Sequence, residues 1–259
     1  MSLVFAAITP HPPLLIPNIG KEKIAELNKT KEALEALERD LYVAKPQMII
    51  VISPHSSLYE NAFSANANTN FTATFEEFGD LSTKKDWVGA PNFAAKLSHK
   101  CKLNDLDFQL VSRDKLDHGA SVPLFYLANH LKDIKILPIG YSKQKAVEHI
   151  RFGEVLKEVI MEDENRIAII ASGDLSHNIS QHKEAGETFD EKLIYLIKQR
   201  ATASMIDLDS SDLLKNTEEC GYRSILILMG ILKKMNYKFE ETYEHPFDIG
   251  YLTGGFNLG

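Results

Sequence analysis

Nine histidines fall in this 259-residue chain, and four of them stand at turns that can bring them together. His11 lies in Thr9-Pro10-His11-Pro12-Pro13, and His55 lies in Ser53-Pro54-His55-Ser56. His118 lies in Leu116-Asp117-His118-Gly119, and His177 ends Ser172-Gly173-Asp174-Leu175-Ser176-His177. Neutral imidazole is a ligand for zinc, iron and copper. Two histidines with one anionic ligand leave coordination positions open on a metal. A histidine outside the metal's ligand set can move a proton near neutral pH. Asp174, three residues before His177, is read either as a partner that orients an imidazole or as a turn or capping aspartate. The prolines and glycines beside these histidines make rigid turns, which suits groups that must be held in place.

The elements that must carry these turns are short apolar runs separated by helical patterns. Runs 3–8, 48–52, 108–111, 134–139 and 166–171 are read as strands, and 237–243 and 249–253 as closing strands. Residues 60–78 are read as two extended segments. Helices are expected over 21–41, 92–102, 119–131, 143–161, 188–200 and 221–235. Near-continuous apolar strands between helices predict an α/β fold. The expected form is a single-domain sandwich over 1–259, with a mostly buried mixed or parallel sheet flanked by helices. In such a sheet the ligand site lies beyond the carboxyl ends of the strands. His11, His55 and His177 follow three of those ends, and His118 opens a helix. The other five histidines fit the site less well. His99, His130 and His149 are placed on exposed helix faces, His182 in the loop after His177, and His245 before Pro246.

Composition narrows the class. Hydrophobic residues are 44% and charged residues 25%, as in an ordinary globular domain rather than a disordered chain. A net charge of −7 without a basic cluster argues against nucleic acid as a partner. No apolar run reaches the roughly 20 residues of a membrane span, and the first residues are not expected to act as a secretory signal. Cys101 and Cys220 are too few for a disulfide scaffold, so a cytoplasmic location is expected. There is no glycine loop to cradle phosphate, no GxSxG elbow and no HExxH pair, which sets aside the common nucleotide, esterase and zincin routes.

Five segments together resemble the class III extradiol ring-cleavage dioxygenase superfamily, the LigB-like group, and its relative Memo. They are ITPHPPLLIP, VISPHS, LDHGASVPL, SGDLSHN followed by FDEKL, and EECGYRSILILMG, and they run from residue 8 to residue 230. The nearest likeness is to the LigB-like domains of the AmmeMemoRadiSam group. The resemblance implies Fe(II) bound by His11 and His55, with His177 as catalytic acid/base and His118 lining the substrate site. It implies a catechol-like aromatic substrate and dioxygen. It also implies a homo-oligomer and a link to the proteins of the AmmeMemoRadiSam cluster.

The third ligand is where the chain departs from the ring-cleaving pattern, which places a glutamate near the start of the late helix. Here that region reads Glu218-Glu219-Cys220-Gly221, and Cys220-Gly221 looks like the Cys-Gly pair of Memo. Glu219 and Cys220 both remain candidates, and neighbours at a helix start point about 100° apart. A carboxylate suits Fe(II), whereas a thiolate is softer and suits Zn(II) or Cu. Two functions follow. One is a non-haem Fe(II) extradiol dioxygenase, and the other is a Memo-like metal-binding protein with a redox or partner-binding role. Arg223 is read as a partner either of an acidic substrate group or of Glu219. Tyr59, Phe63, Phe125, Tyr126 and Tyr222 are read as core or as pocket lining.

Overall fold

Two runs, MIIVIS and IAIIAS, have every residue buried, and they form the centre of the sheet. The computed structural model describes residues 2–177, 179–180 and 183–259. In chain order its main elements are β1 (Leu3–Thr9), α1 (Pro17–Gly20), α2 (Asn28–Ala44), β2 (Met48–Ser53), β3 (Phe63–Asn66), β4 (Asn70–Phe75) and β5 (Asp80–Gly89). There follow α3 (Pro91–Leu103), β6 (Phe108–Val111), α4 (His118–Leu127), β7 (Lys135–Gly140), α5 (Ala146–Glu162) and β8 (Ile167–Ser172). The chain closes with α6 (Lys183–Lys198), α7 (Thr202–Asp207), α8 (Asp212–Lys215), α9 (Tyr222–Leu232), β9 (Lys238–Glu244) and β10 (Tyr251–Asn257).

Among the described residues the strands form one mixed sheet in the order β4-β5-β7-β2-β8-β1-β10-β9. The four central strands β7, β2, β8 and β1 are mutually parallel. Their shared direction brings the carboxyl ends of β1, β2 and β8 to one edge, with Thr9 opposite Ser172 and Ile52 opposite Ala171. β7 divides its other side between β5, at Lys135 and Ile136, and β3, at Ile139 and Gly140.

Successive strand side chains point to opposite faces, so each strand feeds two cores. Ile50, Ile52, Ile167 and Ile169 pack with α3, α5, α6 and α9. Ile49, Val51, Ala168 and Ile170 pack with α2 and α4. This is the expected α/β sandwich.

Several local expectations are corrected. The stretch read as one helix over 21–41 begins as a 3-10 segment, Lys21–Leu27, before α2 takes over. The two extended segments in 60–78 are β3 and β4, but each pairs elsewhere. β5 was not anticipated, because its sequence is hydrophilic and most of it lies at an exposed edge. His149 is buried, not exposed. Its ring lies edge-on to Phe63 of β3 at 5.2 Å and to Tyr141, just after β7, at 6.0 Å, so α5 turns His149 inward. No helix among the described residues is long and apolar enough to cross a membrane.

Candidate metal centre

His11 follows β1 by two residues and is buried where the strand ends converge. Its Nδ1 is 3.0 Å from the hydroxyl of Ser172, the last residue of β8. That hydroxyl donates its own proton to the carbonyl of Gly119 at 2.5 Å. It therefore accepts from His11 Nδ1–H, which leaves a lone pair on Nε2 facing the site. Around that Nε2 stand His55 Nε2 at 3.0 Å, Cys220 Sγ at 3.7 Å and Asp174 Oδ2 at 3.8 Å.

His55 follows β2 and reaches His11 from the exposed side. Its ring stacks on His118, with centroids 4.1 Å apart and planes at 28°, and both rings meet His11 edge-on. Burial, then the neighbouring imidazoles, hold His11 well below the usual histidine range. Desolvation of the inward ring, then His118, lowers His55, and desolvation lowers His118. All three are therefore biased toward the neutral form that ligates metals.

The DHG turn is shaped by contacts. Asp117 caps α4 by accepting from Ala120 N–H at 3.1 Å and from the Ser53 hydroxyl. A Cβ on Gly119 would collide with Ser53 Oγ and lie 3.1 Å from the His55 ring. Only glycine lets the helix start this close to the end of β2.

Cys220 arrives by a backbone-to-backbone approach. A Cβ on Gly173 would collide with the Cα of Gly221. The amides of Cys220 and Gly221 donate to Asp174 O at 3.2 and 2.9 Å, and Asp174 N–H donates to Cys220 Sγ at 3.3 Å. Asp174 Oδ1 accepts from His11 N–H at 2.9 Å, so this aspartate ties the β1 turn to the β8 turn. Burial raises both the Asp174 carboxyl and the Cys220 thiol. A cation among these groups would offset that cost by favouring their anionic forms.

Two sets of potential ligands share His11: His11-His55-His118 and His11-Asp174-Cys220. Convergence of imidazole lone pairs with a thiol and a buried carboxylate fits a transition-metal donor set. Glu219 belongs to neither set. Its Oε2 accepts from Tyr222 N–H at 2.5 Å at the start of α9, and burial pushes its carboxyl up to about 7.

His177 lies in the turn after β8, and its amide donates to Thr217 O at 2.7 Å. Its Nε2 is buried and has no hydrogen-bond partner among the described residues. The turn is anchored by Asp190, which accepts from Ser176 N–H at 3.1 Å, Ser176 Oγ–H at 2.6 Å and Tyr243 O–H at 2.7 Å. The expectation for His182 lies outside the described residues.

Sequence reasoning missed Ser172, Asp190, Glu77 and Phe78. The first two sit in the SGDLSH and FDEKL segments, which were the available signal. Glu77 and Phe78 had none, although the Phe78 ring packs edge-on to His118 at 5.2 Å and Glu77 Oε1 is 3.9 Å from His118 Nδ1. The aromatic candidates separate differently. Phe63 stacks on Phe152 in the core, Tyr126 donates to Leu15 O, and Tyr222 donates to Met205 O. Arg223 pairs with Asp209 at 3.5 Å.

Comparison with known proteins places this arrangement in a class. The family described as the catalytic LigB subunit of aromatic ring-opening dioxygenase matches residues 5–254, and the chain belongs to that family. Its enzymes are metal-dependent and act on an aromatic substrate with dioxygen. Within it the chain is a LigB-like, Memo-related domain. A Clostridium acetobutylicum protein is 28% identical over 97% of this chain, and the chain spans 57% of that protein's length. A MEMO1 family protein of Methanosarcina acetivorans is 27% identical, covering 86% of this chain and 83% of that one. The 4,5-DOPA dioxygenase extradiol of Mirabilis jalapa is 23% identical over 58% of this chain and 55% of its own length. An uncharacterized Escherichia coli K12 protein of known crystal structure shares the fold, with a TM-score of 0.70 at 17% identity, covering 97% of this chain and 99% of that one.

Proposed function

We propose that the chain, read as one LigB-like domain over 1–259, is a non-haem Fe(II)-dependent extradiol-type dioxygenase for a catechol-like aromatic substrate. The observation that carries this reading is the inward lone pair of His11 Nε2, 3.0 Å from His55 Nε2 and 3.7 Å from Cys220 Sγ. His11, His55 and Cys220 would hold the metal, with Glu219 the alternative to Cys220. Fe(II), when bound, supplies adjacent positions for a catecholate and for dioxygen.

The remaining steps belong to side chains. Ser172 fixes the His11 tautomer, and Asp174 fixes its backbone. The Nε2 of His177, without a hydrogen-bond partner among the described residues, takes the second catechol proton and later returns it. His118, half-buried between His55 and Phe78, contacts the substrate ring or its hydroxyl. The test is oxygen uptake by the Fe(II)-loaded chain across a catechol panel, with the yellow ring-opened product as a second readout. Uptake with one or more catechols is expected, and none with any catechol contradicts the reading.

The thiol of Cys220 beside His11 favours a second reading, a Memo-like protein that keeps Zn(II) or Cu and does not cleave rings. Thiolate selects softer ions and is itself open to oxidation beside activated oxygen. Retention of Zn or Cu through purification, with no oxygen uptake, is its expected signature.

A further inference from the structure

We propose that the rim of this site selects ortho-diphenols with a positively charged side chain over those with a carboxylate, and that Glu77 is the residue that selects. The inference rests on the ring-cleavage reading, for which it names the substrate class.

Burial orders the site by depth. His11 is buried, His118 is half-buried, and His55 and Glu77 are exposed, so the mouth lies past His55, His118 and the 76–78 turn. The turn holds Glu77 on a fixed pedestal. On one side Phe75 is buried against Phe125. On the other, buried Asp80 accepts from the amides of Ser82 and Thr83 at 2.9 and 3.1 Å. Between them Gly79 N–H donates to Glu76 O at 3.0 Å, and Gly79 has φ +87°, a conformation that favours glycine. Phe78 packs against His118 from the same turn, so the Glu77 carboxylate and an aromatic edge reach the mouth together.

Among the described residues, several other charged groups already have partners. Asp117 serves the Ser53 hydroxyl and the α4 cap, and Asp174 serves His11 N–H. Lys115 faces Glu76 at 3.7 Å, and Arg223 faces Asp209 at 3.5 Å. Glu77 has only His118 within ion-pair distance among the described residues. A substrate side chain leaving the catechol ring past His118 would meet this carboxylate. An ammonium is attracted there, and a carboxylate is repelled. Because Glu77 is 65% exposed, solvent screening limits the effect to about fivefold in affinity.

The test is calorimetric binding, without oxygen, to the Fe(II)-loaded full chain at low salt. Three catechols of matched shape are compared, bearing an aminoethyl, an ethyl or a propionate side chain. The expected order is aminoethyl, then ethyl, then propionate, about fivefold apart at each step. Glu77→Gln is expected to bring all three to the affinity of the ethyl compound, and added salt to compress the series in the wild type. Equal binding of the three, tightest binding of the propionate, or an unchanged order in Glu77→Gln overturns the inference alone. Binding of none of the three overturns the ring-cleavage reading, and the inference with it.

Discussion

The Nδ1 of His11 lies 3.0 Å from the Ser172 hydroxyl, and this contact decides which nitrogen of the histidine faces the site. The hydroxyl spends its proton on Gly119 O and so can only accept from the ring. Two strand ends and a helix start thereby cooperate: the turn after β1 supplies the candidate ligand, the end of β8 supplies its orienter, and the start of α4 supplies the orienter's acceptor.

Removing that orienter should loosen the metal without unfolding the chain. Ser172→Ala is expected to lower metal affinity at least about tenfold, as loss of a partner behind a histidine ligand typically does. Competition with a calibrated chelator measures it. Unchanged affinity would mean that the tautomer is set by something else.

Cys220 and Glu219 should separate cleanly. Cys220→Ser is expected to reduce metal retention. Glu219→Gln should keep it, and should cost at most about 1 kcal/mol of stability through a weaker contact to the start of α9. Metal analysis and urea melts on both variants distinguish the two side chains. The reverse pattern would make Glu219 the ligand.

His177→Ala should retain the metal and lose turnover. A positioned general base contributes typically 10²- to 10⁴-fold, and a loss in that range is expected in kcat with metal content unchanged. Loss of metal instead would make His177 a ligand.

Acid should destabilise the chain partly through His149. Burial pushes it down to about 4, against an ordinary value of 6.5. The unfolded chain therefore binds a proton at this residue before the folded chain does. Stability from this source is complete above pH 6.5 and falls as pH drops toward 4, by on the order of 3 kcal/mol in total. Urea melts across that window should show the slope, and His149→Gln should flatten it. An equal slope in the variant would assign the acid sensitivity to other groups.

What was legible in the chain follows from how each signal arises. β1, β2 and β8 stand out because strands buried on both faces carry no polar alternation. Their ends located His11, His55 and His177, and the glycine after His118 marked a helix start that only glycine permits. The choice between Glu219 and Cys220 was not legible. Their directions depend on the backbone entering α9, where Glu218 has φ +49° and Gly221 presses on Gly173. His149 was misplaced because a local pattern cannot show that Phe63 of β3 and Tyr141 pack on its ring. Glu77 and Phe78 left no trace, since a short turn brings them to His118 only through tertiary packing.

Nitric-oxide EPR of the protein reconstituted with Fe(II) without oxygen, recorded with and without catechols, tests the dioxygenase reading most directly. Nitric oxide reports an iron position left open beside bound substrate. A strong iron–nitrosyl signal whose shape changes with at least one catechol is the predicted result. No iron signal, with tightly retained zinc or copper in its place, would contradict the dioxygenase reading and leave the Memo-like one.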